Sequence, residues 1–187
     1  MPLYILSGAP GAGKTTIGDG LRVLGYPVVR EGFMDLYHEL LDAGMEKPLE
    51  EPQFIDKLAA LQLDRMRLQQ AAAKEDETAV YDRTPICTLA LCKFMGRAPS
   101  AALLEAVEET MRGRFEKTVL FVVSLGYIET TDIRTLNHEQ QLAFEELHRK
   151  LYVEHGFECI DIPPLPVKER VAFVADLVKR LEASTRG

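Results

Sequence analysis

The sequence predicts an α/β chain in a single domain, with five parallel strands in one sheet and helices on both faces. Three observations predict it. Apolar, strand-like runs alternate with helical patterns five times along the 187 residues. A glycine-rich turn, Gly8-Ala9-Pro10-Gly11-Ala12-Gly13, joins the first such run to the first helical pattern. The run Thr118-Val119-Leu120-Phe121-Val122-Val123 is uncharged and rich in β-branched residues, as a strand buried on both faces requires. Right-handed crossovers then put the first strand at the sheet centre.

Each element has a local reason. Leu3 to Leu6 is a short apolar strand, and Thr15 to Leu24 a helix with Ile17, Leu21 and Leu24 on one face. Gly25-Tyr26-Pro27 breaks that helix before a second strand, Val28 to Glu31, which ends in an acid. Phe33 to Ala43 is helical, Gly44 stops it, and Met45 to Pro52 is a polar connection. Phe54 to Ala73 is a long helix, followed by the charged break Lys74-Glu75-Asp76-Glu77. Thr78 to Tyr81 is the third strand. Asp82-Arg83-Thr84-Pro85 follows at once, with proline suited to the first turn of a helix over Ile86 to Met95.

Gly96 to Pro99 is a loop and Ser100 to Arg112 a further helix. After the fourth strand comes a long polar loop from Ser124 to Leu136. Asn137 with Gln140 then forms a capping box for a helix that Gly156 ends. Phe157 to Ile162 is the fifth strand, Pro163 to Pro166 a stiff turn, and Val167 to Leu181 the closing helix; the tail from Ala183 is expected to fray. Within the single domain, residues 44–74 read as a helical insertion on the substrate side and residues 124–136 as a lid.

Composition excludes several classes. Hydrophobic residues make up 47% and charged residues 27% of the chain, ordinary for a globular protein. The net charge of −7 argues against a large nucleic-acid footprint. No apolar run is long enough to span a bilayer, and a strand beginning at Leu3 leaves no expected room for a signal peptide. Cys87, Cys92 and Cys159 form no zinc spacing and predict reduced thiols and a cytoplasmic protein, with Cys87 and Cys92 as apolar helix residues. His38, His138, His148 and His155 share no metal-ligand spacing and are expected at the surface. A homodimer is left open.

Gly8 to Thr15 matches G-x-x-x-x-G-K-[ST], a phosphate-binding loop between strand and helix. Glycines let the backbone curl so that its N–H groups converge, and the helix N-terminus adds partial positive charge. Gly8, Ala9, Pro10, Gly11, Ala12, Gly13, Lys14, Thr15 and Thr16 are therefore the candidate nucleotide contacts. Lys14 is placed to reach the β- and γ-phosphates of ATP, and the Thr15 hydroxyl to ligate Mg²⁺.

Ligands of open parallel sheets sit beyond the carboxyl ends of the strands. Asp82 there is a candidate Mg²⁺ ligand or hydroxyl-orienting group, with a helix N-cap as its structural alternative. Arg83 is placed over the acceptor. Glu31 and Asp35 compete as general base; Glu31 is preferred because it ends the second strand. Arg134, in the lid, is a candidate cation for the transferring charge, and Arg149 is expected to pair with Glu145 or Glu146.

With these residues in hand, the whole chain resembles P-loop small-molecule kinases of the NadR-like AAA-ATPase family, a group that includes bacterial nicotinamide-riboside kinase domains. Beyond the loop, the resemblance rests on Asp82-Arg83-Thr84-Pro85 and Asp132-Ile133-Arg134. It extends to the run Leu147-His148-Arg149, Tyr152, Gly156-Phe157, Ile162-Pro163, Val167 and Arg170-Val171. Asp82-Arg83-Thr84 is also similar to the acid-Arg-Ser segment of deoxynucleoside kinases; in those enzymes the second-strand acid is the base, which implies that role for Glu31. The resemblance implies ATP-dependent phosphoryl transfer to a nucleoside-like acceptor. A regulatory ATPase without an acceptor is the alternative. A nucleic-acid-processing ATPase fits the acidic balance least, and a GTPase is disfavoured because no N-K-x-D motif occurs. An oligomeric motor is disfavoured because no small helical domain follows the sheet.

Overall fold

A computed structural model describes residues 2–72, 77–124 and 136–185 of the chain. Five strands form one parallel sheet: β1 (Leu3–Ser7), β2 (Val28–Val29), β3 (Ala79–Asp82), β4 (Phe115–Val122) and β5 (Glu158–Ile162), in the order β2-β3-β1-β4-β5. The expected centre is observed: β1 lies between β3 and β4, and all its residues are buried. Seven helices are described: α1 (Lys14–Val23), α2 (Phe33–Asp42), α3 (Phe54–Ala72), α4 (Pro85–Phe94), α5 (Ala101–Arg112), α6 (His138–Glu154) and α7 (Val167–Thr185). None is long and apolar enough to cross a membrane.

The sheet's pleat divides the core. Leu3 and Ile5 of β1 join Tyr81, Val119 and Phe121 under the helices α3 to α6. Tyr4 and Leu6, one residue out of phase, join Val80, Leu120 and Ile162 under α1 and α7. Two apolar faces on one strand are what make β1 a continuous hydrophobic run. The caps agree with the sequence: Asn137 and Gln140 form the reciprocal box, the Ser100 hydroxyl accepts from Leu103 N, and Pro85 opens α4. Gly156 leaves α6 in a left-handed turn at φ 77°.

Boundaries depart from expectation in several places. The second strand ends at Val29, so Glu31 stands two residues beyond it rather than at its end. The fourth strand begins at Phe115 rather than Thr118. Glu116 and Lys117 broke the apolar signal there, yet Phe115 is buried and pairs with Leu3. The Lys117 ammonium lies 4.7 Å from the centre of the Phe157 ring, which gives that charged residue a partner near the start of an interior strand. The third strand carries on through Asp82, and the closing helix continues to Thr185. A short 3-10 turn, Pro48–Glu50, interrupts the polar connection between α2 and α3.

Candidate active site

The glycine-rich turn is built by close approach. Gly8 has φ 134°, and a Cβ there would stand 2.3 Å from the Val122 carbonyl oxygen of β4. Gly13, at φ 90°, caps α1 in the left-handed region. From α6, Gln141 Nε2 donates to the Pro10 carbonyl at 2.7 Å and braces the turn. The buried Lys14 ammonium folds back and donates to the Ala9 carbonyl at 2.8 Å. Burial lowers its pKa to about 8; the Arg83 guanidinium pushes the same way, and the carboxylates of Asp82 and Glu31 oppose them.

β3 delivers the next two groups. Asp82 pairs in register with Leu6, is buried, and has one carboxylate oxygen, Oδ1, without a hydrogen-bond partner among the described residues. Burial, then the neighbouring Glu31 charge, raises its carboxyl to about 6 against the pull of Lys14 and Arg83. It does not cap α4: the N-cap is Thr84, with no side-chain hydrogen bond. Arg83 has φ 72°, the lone non-glycine residue in that region among the described residues. Its amide donates to the Leu6 carbonyl at 3.1 Å. A bulky residue held left-handed is strained, and such strain collects at functional sites.

The Arg83 side chain is held from two sides. Its Nε lies 2.7 Å from Glu31 Oε1, a close ion pair in which the N–H is not aimed along the contact. Its Nη1 lies 3.3 Å from His148 Nε2. His148 Nδ1 faces the Phe144 carbonyl at 2.8 Å, and a carbonyl only accepts. Nδ1 therefore carries the proton, and Nε2 is left to accept from Arg83. Burial, then Arg83, lowers the His148 pKa to about 3, so the ring is neutral. His148 is completely buried, which corrects its expected surface position.

Glu31 and Asp35 separate clearly. Glu31 lines the cavity beside Arg83. Asp35 does not turn toward the phosphate turn; it is mostly exposed and pairs with Arg65 of α3. Arg65 Nη1 also donates to the carbonyls of Arg30 at 2.9 Å and Glu31 at 2.7 Å, fastening α3 to the exit of β2. Arg149 pairs with Asp161 at 2.7 Å and covers the Phe121 ring, rather than pairing with Glu145 or Glu146. Glu145 instead accepts from the Ser124 amide at 3.1 Å. Arg134 and almost all of the expected lid lie outside the described residues.

One cavity of about 490 Å³ connects these groups. Gly11, Gly13, Lys14, Thr15 and Thr16 line one end, Glu31 and Arg83 the middle. The other end is an apolar chamber with Leu58, Leu91, Phe94 and Phe144 in its wall. A single polar pair stands there, Thr88 Oγ1 donating to Gln62 Oε1 at 2.7 Å. Sequence reasoning missed Gln62, Thr88, Gln141, His148 and Arg170. Gln62 and His148 had a signal: each continues an apolar helical stripe, Leu58–Gln62–Met66 and Phe144–His148–Tyr152. Cys87, read as an apolar helix residue, is buried but faces polar groups, with its sulfur 3.0 Å from the Tyr152 hydroxyl and 3.3 Å from that of Ser7.

Solved structures share this architecture. Deoxyadenosine kinase from M. mycoides with products dCMP and a flexible dCDP bound matches with a TM-score of 0.63 at 16% identity, over 96% of this chain and 100% of that one. The same enzyme with bound dATP matches with a TM-score of 0.57 at 16% identity over the same shares. The YorR protein of Bacillus subtilis in complex with phosphorylated GDP gives 0.55 at 15% identity, over 97% of this chain and 98% of that one. At such identities the likeness is one of fold, a P-loop α/β fold of nucleoside-kinase type. No functionally curated protein matches the sequence. The AAA domain family model matches residues 3–170, nearly the whole chain, and the chain belongs to that family.

Proposed function

We propose that this protein is a kinase that binds ATP with Mg²⁺ and transfers the γ-phosphoryl group to a hydroxyl of a small, nucleoside-like acceptor. The observation that carries the reading is the continuous cavity. It runs from the phosphate turn past Glu31 and Arg83 into an apolar chamber with one polar pair. A switch that only hydrolyses ATP has no need of that chamber, and its size suits a small organic ligand. Solved relatives of the fold that are nucleoside kinases add support.

Gly8 to Thr16 cradle the phosphates, and Lys14 leaves Ala9 to follow the β- and γ-oxygens. Asp82 and Thr15 fit Mg²⁺: the Asp82 carboxylate is a hard oxygen donor, unpartnered at Oδ1 among the described residues, and Thr15 lines the cavity. Held by these residues, the metal would offset phosphate charge during transfer. Glu31 takes the acceptor's hydroxyl proton as the new oxygen–phosphorus bond forms; the bond from the γ-phosphorus to the bridging oxygen breaks and ADP leaves. Arg83 supports the charge on the transferring group. Arg134, carried by the 124–136 lid, adds a second cation on closure. Residues 44–74 form the substrate-side insertion of the one domain, and free thiols at Cys87, Cys92 and Cys159 fit a reducing cytoplasm.

The test is ADP release from Mg–ATP with a panel of ribo- and deoxyribonucleosides and nicotinamide riboside, with the phosphorylated product identified by mass spectrometry. One acceptor should raise ADP release far above the background hydrolysis. If none does, the regulatory-ATPase reading takes its place.

A further inference from the structure

Arg170 is a buried cation in the cavity wall. It closes the first turn of α7, is 3% exposed, and forms no ion pair among the described residues. Its Nη1 donates to the Ala12 carbonyl at 2.7 Å, and its buried Nε has no partner among the described residues. The guanidinium lies flat against Gly13: a Cβ on that glycine would stand 3.0 Å from both Nη1 and Nη2. It also lines the cavity, beside Gly13 and Thr16.

A buried guanidinium is ordinarily matched by an anion, because desolvation of an isolated charge is costly. A carbonyl oxygen accepts one hydrogen bond and leaves the charge uncancelled. The site's acids are committed elsewhere. Glu31 pairs with Arg83, and Asp82 and Glu31 are the carboxylates that act on Lys14. That cluster marks the end of the turn where the γ-phosphate is transferred on the proposed reaction. Arg170 comes from α7, on the opposite face of the sheet from α3 and α4, and meets the turn at Gly13.

From this geometry we infer that Arg170 is a donor-nucleotide contact, the buried cation for the α-phosphate. The inference rests on the reading that the turn binds a nucleoside triphosphate, and it adds a residue and a phosphate to that reading. The amides at the start of α1 cradle the α- and β-phosphates, and Lys14 serves the β- and γ-phosphates. The α-phosphate is thus the anion left for a cation on the Gly13 side. Gly13 is fixed twice over: its φ of 90° needs glycine, and a side chain would displace the guanidinium from the turn.

The experiment measures ATP, ADP, AMP and adenosine binding by displacement of a fluorescent ADP analogue from wild type, Arg170→Met, Arg170→Lys and Lys14→Ala. Arg170→Met should weaken ATP, ADP and AMP by one shared factor of roughly 10 to 100, the size of a lost charge-assisted hydrogen bond. Adenosine should change less than about twofold, and Arg170→Lys should recover part of the loss. Lys14→Ala should weaken ATP and ADP much more than AMP. Unchanged binding to Arg170→Met overturns the inference, and so does an adenosine loss equal to the AMP loss, which would make Arg170 a base contact or a brace. Circular dichroism and thermal melts check folding; should Arg170→Met fail to fold, the charge-keeping Arg170→Lys carries the test through its selective loss on the three phosphorylated ligands. A wild type that binds none of the four removes the donor-nucleotide reading itself. A Lys14→Ala loss alongside an unaffected Arg170→Met removes only the Arg170 inference.

Discussion

Glu31 and Arg83 meet at 2.7 Å across the carboxyl edge of the sheet, one from the exit of β2 and one from the exit of β3. Both line the cavity between the phosphate turn and the apolar chamber, so on the proposed reaction an acceptor hydroxyl arriving from the chamber would meet a carboxylate already positioned by a cation.

On the proposed reaction, Glu31→Gln should lower kcat by roughly 10²- to 10⁴-fold, the range of a lost general base. ATP affinity should stay within about threefold. Asp35→Asn should change kcat less than about threefold, because Asp35 is spent on Arg65 at an exposed surface. ADP-release kinetics and calorimetric ATP binding on both variants check this. Equal effects of the two substitutions would remove Glu31 from the role of base.

Lys14→Ala should weaken ATP binding by more than about tenfold and leave the melting temperature unchanged or raised. Burial lowers the Lys14 pKa to about 8, so the buried ammonium costs the empty protein stability while it serves the phosphates. Thr15→Ala, tested beside it, should raise the Mg²⁺ concentration needed for half-maximal turnover. A melt that drops by many degrees in Lys14→Ala would show that the ammonium is a structural element of the turn.

Without ligand, Asp82 should make the protein less stable at neutral pH than at mildly acid pH. Its folded pKa of about 6 lies above the ordinary 3.8, so the folded state holds the proton over an interval in which the unfolded state has lost it. The penalty is absent below about pH 4, grows as pH rises, and is complete above about pH 6. Asp82→Asn should therefore be more stable than wild type near pH 7, by about 1–3 kcal/mol, with the gap closing as pH falls to 4. Urea melts of both proteins across pH 4–8 measure it. A gap that widens toward acid would reverse the sign and refute the argument.

Gly8→Ala should be severe. The added methyl would stand 2.3 Å from the Val122 carbonyl oxygen, and φ 134° is closed to side-chain-bearing residues. A loss of more than about 3 kcal/mol is expected, with the turn pushed off β4. Gly25→Ala is the control, since φ 92° is strained there too but open space surrounds the site. If the two destabilise equally, crowding against β4 is not the cause.

The five parallel strands, the central place of β1 and the helix succession were legible because the strands are apolar runs and the helices have clear starts. The reading weakened where charge interrupted a run, as at Glu116 and Lys117, which hid the beginning of β4. Within the site, the turn and Asp82-Arg83 stood out because they directly follow strands. Glu31 did too: its expected place at the end of the second strand already favoured it over Asp35, and the structure adds that Asp35 is held by Arg65, which lies far away in sequence. His148 and Arg170 stood out only inside the family-like C-terminal run and without a role, because their partners, Arg83 and Ala12, are distant along the chain and a polar residue in a helix looks solvated until the fold covers it.

The grip of Arg65 on the carbonyls of Arg30 and Glu31 makes α3 a lever. Leu58 and Gln62 on that helix line the chamber, so on the proposed reaction a molecule that seats badly there would press on the same helix that holds the backbone at Glu31. Misfit at the far wall would then be felt at the carboxylate. Poor acceptors should fail in turnover as well as in affinity, and fidelity would come from the mechanical link between wall and carboxylate more than from the wall alone.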